Sequence, residues 1–147
     1  MFSRQFHERV TESLLYLAVN LAAQGKRAEA NTSYREALEE GTAPDLNEFA
    51  WFLATCPDQN WRDGTNAVLL AEKAVSATKR MHTGYLSTLA AAYAETGQFA
   101  KAIGIQQEAI ILSQSEQEKA ELASRLKLYQ KSSPYRDPAL AGKAVSR

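Results

Sequence analysis

The sequence contains one cysteine, Cys56, and two histidines, His7 and His82. One cysteine cannot form an internal disulfide, so the fold does not depend on an oxidising compartment. A structural zinc site needs about four ligands, which one thiol and two scattered imidazoles do not provide. A thiol nucleophile needs a base nearby, and nothing in the spacing requires either histidine to approach Cys56. We therefore predict no catalytic residue, no metal site and no cofactor, and we interpret Cys56 as a buried small apolar residue.

Excess charge and long apolar runs are also missing. Basic and acidic residues number 17 each, and the isoelectric point is about 6.7. Because proteins that bind nucleic acid neutralise phosphates with basic surfaces, nucleic acid is not an expected partner. No apolar run approaches the ~18 residues of a membrane span, and the N-terminal residues lack the apolar core of a signal peptide. As written, the chain is expected in the cytoplasm without membrane contact; it is equally open that it is a domain of a larger protein.

Glycine and proline are scarce, with seven and four residues, and no stretch alternates between apolar and polar residues. Apolar residues instead recur at helical spacing. The first such stripe consists of Phe6, Val10, Leu14, Leu17 and Leu21. It stops at Gly25, which is typical of a helix end, and a second helix is predicted from about Arg27 to Glu40. The chain is therefore predicted to be all-α.

The helical pattern repeats along the chain. Positions 72 residues apart carry the same residue types, as in Leu17, Ala18, Gly25, Ala30 and Ala37 against Leu89, Ala90, Gly97, Ala102 and Ala109. Since 72 is two periods of ~36 residues, a third copy is expected between them. It is formed by Leu53, Ala54, Ala67 and Ala74, with one extra residue in the turn. Alanine lets two helices approach closely where they cross, and stacking the copies buries their apolar faces.

These copies resemble the tetratricopeptide repeat, a helix-turn-helix unit of ~34 residues. The third copy resembles it best, because Leu89 and Ala90 are followed by Tyr93 and by Gly-x-Phe at the turn. Gln106 and Gln114 depart from the family pattern, which usually has an aromatic residue and a proline at these positions. The middle copy, with Leu-Ala-Thr-Cys-Pro before an Arg-Asp-Gly turn, is similar to a variant seen in bacterial tetratricopeptide proteins.

The resemblance implies an all-α, right-handed superhelical stack of three hairpins plus a C-terminal capping helix. The expected segments are an N-terminal extension of the first helix (1–10), repeat 1 (11–44), repeat 2 with a lengthened turn (45–81), repeat 3 (83–116), the capping helix (117–131) and a tail (132–147). Ser115 and Glu118 predict a capping box at the start of the capping helix. The tail has two prolines and no sustained period, and we expect it to fray after Pro138.

The stretch LATCPDQNWRDG, residues 53–64, combines a thiol, two carboxylates, an indole and a guanidinium. Pro57 cannot continue a helix, so the preceding helix is predicted to end near Cys56. Asp63 is predicted to be the N-cap of the next helix. A calcium loop would need an oxygen ligand where Arg62 stands. We therefore interpret this stretch as an extended turn between paired helices.

In stacked helical hairpins the first helix of each pair lines a concave groove that binds extended peptides or helices. The groove residues that the resemblance implies here are Tyr16, Val19, Trp51, Phe52, Thr55, Ser87, Thr88 and Ala91. The aromatic members suit an apolar side chain or a helix, although aromatic residues at helical spacing are as often core residues. We therefore predict a non-catalytic scaffold that binds a peptide or helix of another protein.

Two alternatives stay open. Phe2, Phe6 and Val10 extend the first helix beyond the repeat, and an exposed apolar end of a stack favours self-assembly, for example as a homodimer. A related helical repeat that binds RNA is a weaker alternative, since it would need a basic groove and the candidate groove contains acidic and aromatic residues.

Overall fold

The computed structural model describes residues 4–142, with side chains described from residue 11 onward. Every regular element in that range is helical. The helices are α1 (Arg4–Ala23), α2 (Arg27–Glu40), α3 (Ala43–Thr55), α4 (Gly64–Ala77), α5 (Thr83–Glu95), α6 (Phe99–Leu112) and α7 (Glu116–Gln130), with 3-10 turns at Gln59–Trp61 and Pro138–Leu140. Phe2, the side chains of Phe6 and Val10, and residues 143–147 of the tail lie outside the described residues.

The helices form three successive pairs. α1 packs on α2, α3 on α4 and α5 on α6, and each second helix of the later pairs also contacts the helix that follows it. α3 and α5, the first helices of their pairs, pack on each other. This arrangement confirms the predicted all-α stack of three hairpins with a capping helix. None of the described helices is both long enough and apolar enough to cross a membrane.

Alanine occupies every predicted helix crossing, and each of these alanines is 0% exposed. The nine residues are Ala18, Ala54 and Ala90 in the first helices, and Ala30, Ala67, Ala102, Ala37, Ala74 and Ala109 in the second helices. A methyl side chain lets the helix axes approach to about 8–10 Å, and the leucines beside it fill the remaining space. The three copies are therefore equivalent in the burial of these alanines.

The second and third pairs are joined by a hydrogen bond between side chains. The hydroxyl of Tyr93 in α5 donates to a carboxylate oxygen of Glu72 in α4 at 2.5 Å. This bond, together with burial, raises the pKa of Tyr93 to about 12. The hydroxyl therefore stays protonated, and the contact persists, across the whole physiological pH range.

Gln106, which departs from the family pattern, has a specific role in holding the capping helix. Its side chain is 0% exposed, and its amide nitrogen donates to the carbonyl oxygen of Leu122 in α7 at 2.9 Å. The start of α7 follows the predicted cap, because the Ser115 hydroxyl accepts from the Glu118 N–H. The Glu118 carboxylate, however, accepts from the Ser113 hydroxyl rather than from the Ser115 N–H, so the cap extends two residues further back.

Four helices end in the same left-handed turn. The turns after α1 and α5 contain Gly25 and Gly97, with φ of 82° and 81°. In each turn an N–H bonds to the carbonyl five residues earlier, as from Gln98 to Tyr93 at 2.9 Å. The turn after α7 has the same bond, from Ser133 to Leu128, with Ser132 at φ 56°. The turn after α4 has it too, from Arg80 to Val75 with Lys79 at φ 53°, so first and second helices of pairs share this ending with α7.

Glycine-to-alanine changes at two positions in the third pair are expected to have opposite effects. At Gly97 an alanine must adopt a positive φ, which costs about 1 kcal/mol or more. Gly104 lies within α6, where alanine is favoured by about 0.5–1 kcal/mol. An added Cβ meets no atom within 4 Å at either position, so steric contacts do not confuse the comparison.

We therefore expect Gly97→Ala to lower, and Gly104→Ala to raise, the free energy of unfolding measured by urea denaturation. If both substitutions changed the free energy of unfolding in the same direction, the backbone conformations described for Gly97 and Gly104 would be contradicted.

Candidate functional site

Three helices present one continuous surface, which we call the first-helix face. It is formed by Trp51 and Thr55 of α3, Ser87 and Glu95 of α5, and Arg125 of α7. α3 and α5 are the first helices of their pairs, and α7 is the helix that follows the third pair and packs on α6. The face therefore lies on the side of the stack where groove residues were predicted from the sequence.

The chain itself lies on this face. The tail segment, which we define as residues 133–137, follows the turn at Ser132 and has no regular secondary structure. Pro134 and Pro138 disfavour helical backbone in the residue before each of them. Asp137 is accordingly extended, with φ −85° and ψ 111°, and its carboxylate caps the 3-10 turn that follows. Residues Pro138–Leu140 form that 3-10 turn, and fraying after Pro138 stays a prediction.

Asp137 is held at two points by α3. Its backbone N–H donates to the carbonyl oxygen of Thr55 at 2.9 Å. Its carboxylate accepts from the indole N–H of Trp51 at 2.7 Å. A hydrogen bond to a charged acceptor is stronger than one between neutral groups, so the second contact is the stronger of the two.

Tyr135 forms an aromatic contact with the same tryptophan. The ring centroids of Trp51 and Tyr135 are 5.7 Å apart. The guanidinium of Arg125 lies 5.5 Å from the centroid of Trp51 and 5.3 Å from that of Tyr135, within the range of cation–π attraction. Arg125 also donates to the Ser87 hydroxyl at 3.1 Å, so α5, α7 and the tail segment meet at this residue.

Arg136 connects the tail segment to the end of α5. Its guanidinium lies 2.7 Å from one carboxylate oxygen of Glu95 and donates to the carbonyl oxygen of Ala54 at 3.3 Å. The other carboxylate oxygen of Glu95 is 3.3 Å from the guanidinium of Arg62. Arg62 in turn donates to the carbonyl oxygens of Cys56 and Pro57. One glutamate thus links the tail segment to the connection between α3 and α4, residues 56–63, which we call the long turn.

The position of these contacts follows from the early end of α3. α1 and α5 continue for five residues beyond Ala18 and Ala90, to Ala23 and Glu95, whereas α3 continues for one residue beyond Ala54. Pro57 accounts for the difference of four residues, because it cannot extend the helix. Four residues are about one helical turn, and the tail segment and Arg62 bond to the carbonyls at this shortened end.

Each of the last four carbonyls of α3 accepts a hydrogen bond from outside the helix. Helix ends leave these groups without intrahelical partners. The donors are the N–H of Cys56 for Phe52, the N–H of Asp63 for Leu53, the guanidinium of Arg136 for Ala54 and the N–H of Asp137 for Thr55. Two of these four donors belong to the tail segment, which therefore completes the end of α3.

The eight groove residues predicted from the sequence fall into two groups. Val19, Thr55, Ser87, Thr88 and Ala91 are at most 4% exposed, and Tyr16, Trp51 and Phe52 are half-buried. Trp51 and Thr55 contact the tail segment, and Ser87 contacts Arg125. Phe52 packs against Trp61 of the long turn, with ring centroids 6.4 Å apart. Tyr16 packs edge-on against Phe49 at 5.1 Å.

Sequence reasoning missed three contributors to this site: Arg62, Arg125 and the tail segment. The sequence predicts that Arg62 cannot bind calcium, but it does not show that its guanidinium donates to the carbonyl oxygens of Cys56 and Pro57. The available signal for the tail was the sequence Pro-Tyr-Arg-Asp-Pro, in which two prolines enclose an aromatic, a basic and an acidic residue. Such a segment is extended and carries side chains that suit specific contacts.

Cys56 of the long turn and His82 each make structural contacts, and they lie far apart. Cys56 is 0% exposed, and its carbonyl bonds to Arg62 beside the C-terminal end of α5. His82 precedes the N-terminal end of α5, where its Nδ1 accepts from the Tyr85 N–H at 3.2 Å. A helix of this length spans about 20 Å, so the thiol and the imidazole stand at opposite ends. The described residues contain no group of three His, Cys, Asp or Glu that could hold a metal ion.

A concavity of about 450 Å³ lies elsewhere on the molecule, between α2 and α4. Arg27 in this cleft pairs with Asp63, and the amide of Asn66 donates to the side-chain oxygen of Asn31 at 3.0 Å. These polar groups therefore largely satisfy one another. The first-helix face differs because its polar groups are used to hold a peptide segment.

Two parts of the chain, residues 10–40 and 83–115, match a family model described as tetratricopeptide repeat. These parts correspond to the first and third helical pairs. No curated protein and no solved structure matches the chain.

Arg62 is expected to stabilise the fold, since it bonds to two carbonyls at the end of α3 and pairs with Glu95 at 17% side-chain exposure. Arg62→Ala leaves these groups without the guanidinium and should lower the free energy of unfolding by about 1.5–3 kcal/mol. Arg35→Ala is the control, because Arg35 is exposed on α2 and bonds to Thr32 at 3.4 Å.

The control should change the free energy of unfolding by no more than about 0.5 kcal/mol. Equal effects of the two substitutions in urea denaturation would show that the long turn does not depend on Arg62.

Proposed function

We propose that this chain, of which two parts match the tetratricopeptide repeat model, is a non-catalytic interaction module that binds an extended segment of another protein on its first-helix face. Tetratricopeptide repeats generally mediate protein–protein interaction or scaffolding, and the family is generally non-catalytic. The proposal assigns this general role to one surface and one type of ligand.

A single observation carries the proposal: the first-helix face already holds a peptide segment without regular structure. Three helices contribute to the contacts, which include an aromatic ring, a cation, a carboxylate and helix carbonyls. Main-chain hydrogen bonds give affinity for any extended chain, and the side-chain contacts give specificity. The same combination of groups can hold a segment of a second protein.

The chemistry of the face favours a protein ligand over RNA. Arg125 stacks between two rings, and Glu95 places a carboxylate at the edge of the face. A phosphate backbone would need several free cations in this position. A charged peptide needs a hydrogen-bonding or oppositely charged group for each of its charges, and an aromatic surface for its apolar side chain. The face offers Glu95 and the indole N–H of Trp51 for the charges and the ring of Trp51 for the apolar side chain.

Selection from a random peptide library on the full-length protein tests the proposal. Trp51 stands at the centre of the face, so selected peptides should lose about tenfold or more in affinity for Trp51→Ala. Leu69→Ala is the matched control, because Leu69 is 47% exposed on α4 and lines the cleft between α2 and α4.

The control should bind the selected peptides within about twofold of the wild type, since a surface change away from the site leaves affinity nearly unaltered. Circular dichroism establishes that both variants keep their helical content. Peptides that bind equally to wild type and Trp51→Ala would show that the ligand site lies elsewhere.

Self-association is a second candidate function, and exposure at one repeat position favours it. Leu17 in α1 is 49% exposed, whereas Leu53 and Leu89, its counterparts in the next two pairs, are 1% and 0% exposed. The later leucines have a preceding pair beside them, and Leu17 does not. A second copy that packed against α1 would cover it.

If α1 mediates a homodimer, light scattering should give a molar mass twice that of one chain. The Leu17→Gln variant should have the molar mass of a single chain. Ile111→Gln is the control, because Ile111 is an exposed apolar residue of α6, 84% exposed, at a different part of the surface. A mass of one chain for the wild type would exclude this candidate at the concentration measured.

A further inference from the structure

We propose that the tail segment is a built-in copy of the ligand, and that the partner presents an aromatic residue, an arginine and an aspartate in succession and displaces it. This inference rests on the proposed function and adds the chemistry of the partner. It follows from the fact that Tyr135, Arg136 and Asp137 each meet a different group of the first-helix face.

The first position of the motif requires an aromatic ring. Tyr135 packs against Trp51 and lies 5.3 Å from the guanidinium of Arg125, so the contacts use the face of the ring and its π electrons. Phenylalanine or tryptophan can make the same contacts. An aliphatic residue would keep part of the apolar contact and lose the attraction to the cation.

The second position requires arginine. Arg136 reaches both the carboxylate of Glu95 at 2.7 Å and the carbonyl oxygen of Ala54 at 3.3 Å. Both contacts are made by Nη1, which has two hydrogens, and the planar guanidinium fixes their directions. Lysine has a compact charge at the end of a flexible chain and is a poorer match to two separate acceptors.

The third position requires a short side chain with an acceptor. Asp137 accepts from the indole N–H of Trp51 while its own N–H donates to Thr55. Both bonds form from one residue, so the carboxylate must be close to its backbone. Glutamate is one methylene longer and cannot keep both bonds without moving the main chain.

When the tail segment leaves, it uncovers only the apolar surface beneath Tyr135, which packs against the buried cluster of Ala90, Ala94, Ala102 and Tyr129, and the partner's aromatic residue would cover that surface again. Its three motif residues are half-buried, and the groups they contact are Trp51 at the centre of the face, the carbonyls at the end of α3, and Glu95 at the edge. Water can replace the segment at the carbonyls of Ala54 and Thr55 and at the Trp51 N–H. Glu95 keeps its ion pair with Arg62 when Arg136 leaves, so no carboxylate loses all of its partners.

Tethering makes the built-in segment an effective competitor. A short linker holds a bound segment at an effective concentration of about 1 mM, so a free peptide with the same motif must compete against that concentration. Full-length wild type should therefore bind such a peptide weakly. A full-length chain whose tail cannot dock should bind it much more tightly.

The test uses the full-length variant Tyr135→Ala/Arg136→Ala/Asp137→Ala and a labelled synthetic peptide with the sequence of residues 133–140. Fluorescence anisotropy should give a dissociation constant at least about tenfold lower for the variant than for the wild type. A peptide with alanine at its tyrosine, arginine and aspartate should not bind. Adding Trp51→Ala to the variant should abolish binding of the unchanged peptide.

Two further variants guard against misfolding and unspecific effects. Arg136→Ala alone keeps the contacts of Tyr135 and Asp137 and should give an intermediate affinity. Gln130→Ala/Lys131→Ala changes exposed residues at the end of α7, outside the tail segment, and should bind as the wild type does. Circular dichroism and thermal unfolding establish which variants keep the native helices.

The proposal is overturned if a folded tail variant binds no peptide at about 1 mM, or if it binds no more tightly than the wild type. In the first case the tail segment is only a cap for α3. Mass doubling by light scattering that disappears in the tail variant would also overturn it, by assigning the face to the tail of a second copy. Library peptides that depend on Trp51 and lack the motif would contradict this inference and leave the proposed function intact.

Discussion

The early end of α3 is the constraint on which the first-helix face depends. Pro57 stops the helix about one turn before the corresponding point in α1 and α5, and the last carbonyls of α3 need donors from elsewhere. Buried carbonyls without partners would destabilise the fold, so the donors have to come from chain segments that reach this end. The long turn provides the N–H of Asp63, and the tail segment provides Arg136 and the N–H of Asp137. Arg62 bonds to the two carbonyls that follow the helix, those of Cys56 and Pro57.

The helical stack could be predicted from the sequence because its determinants recur at fixed spacing. Ala18, Ala54 and Ala90 stand in equivalent positions, and the same small side chain is required wherever two helices cross. The N-cap at Asp63 was also predictable, because a short acceptor before a helix satisfies the first N–H groups in any protein. Rules of this kind act over a few residues and need no knowledge of the rest of the chain.

The candidate site was predicted only in part, for physical reasons that differ between residues. Helical spacing gives the direction in which Trp51 and Phe52 point, but not what covers them. Trp61 of the long turn packs against Phe52, and the tail segment covers Trp51. The contact between Trp51 and Asp137 joins residues 86 positions apart in the chain, and the tail segment has no periodic pattern that would reveal its docking site. Its position depends on the tertiary structure that the other helices create.

Charge compensation explains how this face can hold a segment firmly and still release it. A buried carboxylate that loses its single cationic partner is strongly destabilised, which would tie the tail segment permanently to the fold. Glu95 instead contacts two cations, Arg136 of the tail segment and Arg62 of the long turn, which stays in place. Release of the tail segment therefore removes the ion pair between Glu95 and Arg136 and keeps the one between Glu95 and Arg62. A second arginine-bearing peptide can enter the same network, and the stack of helices beneath it stays unchanged.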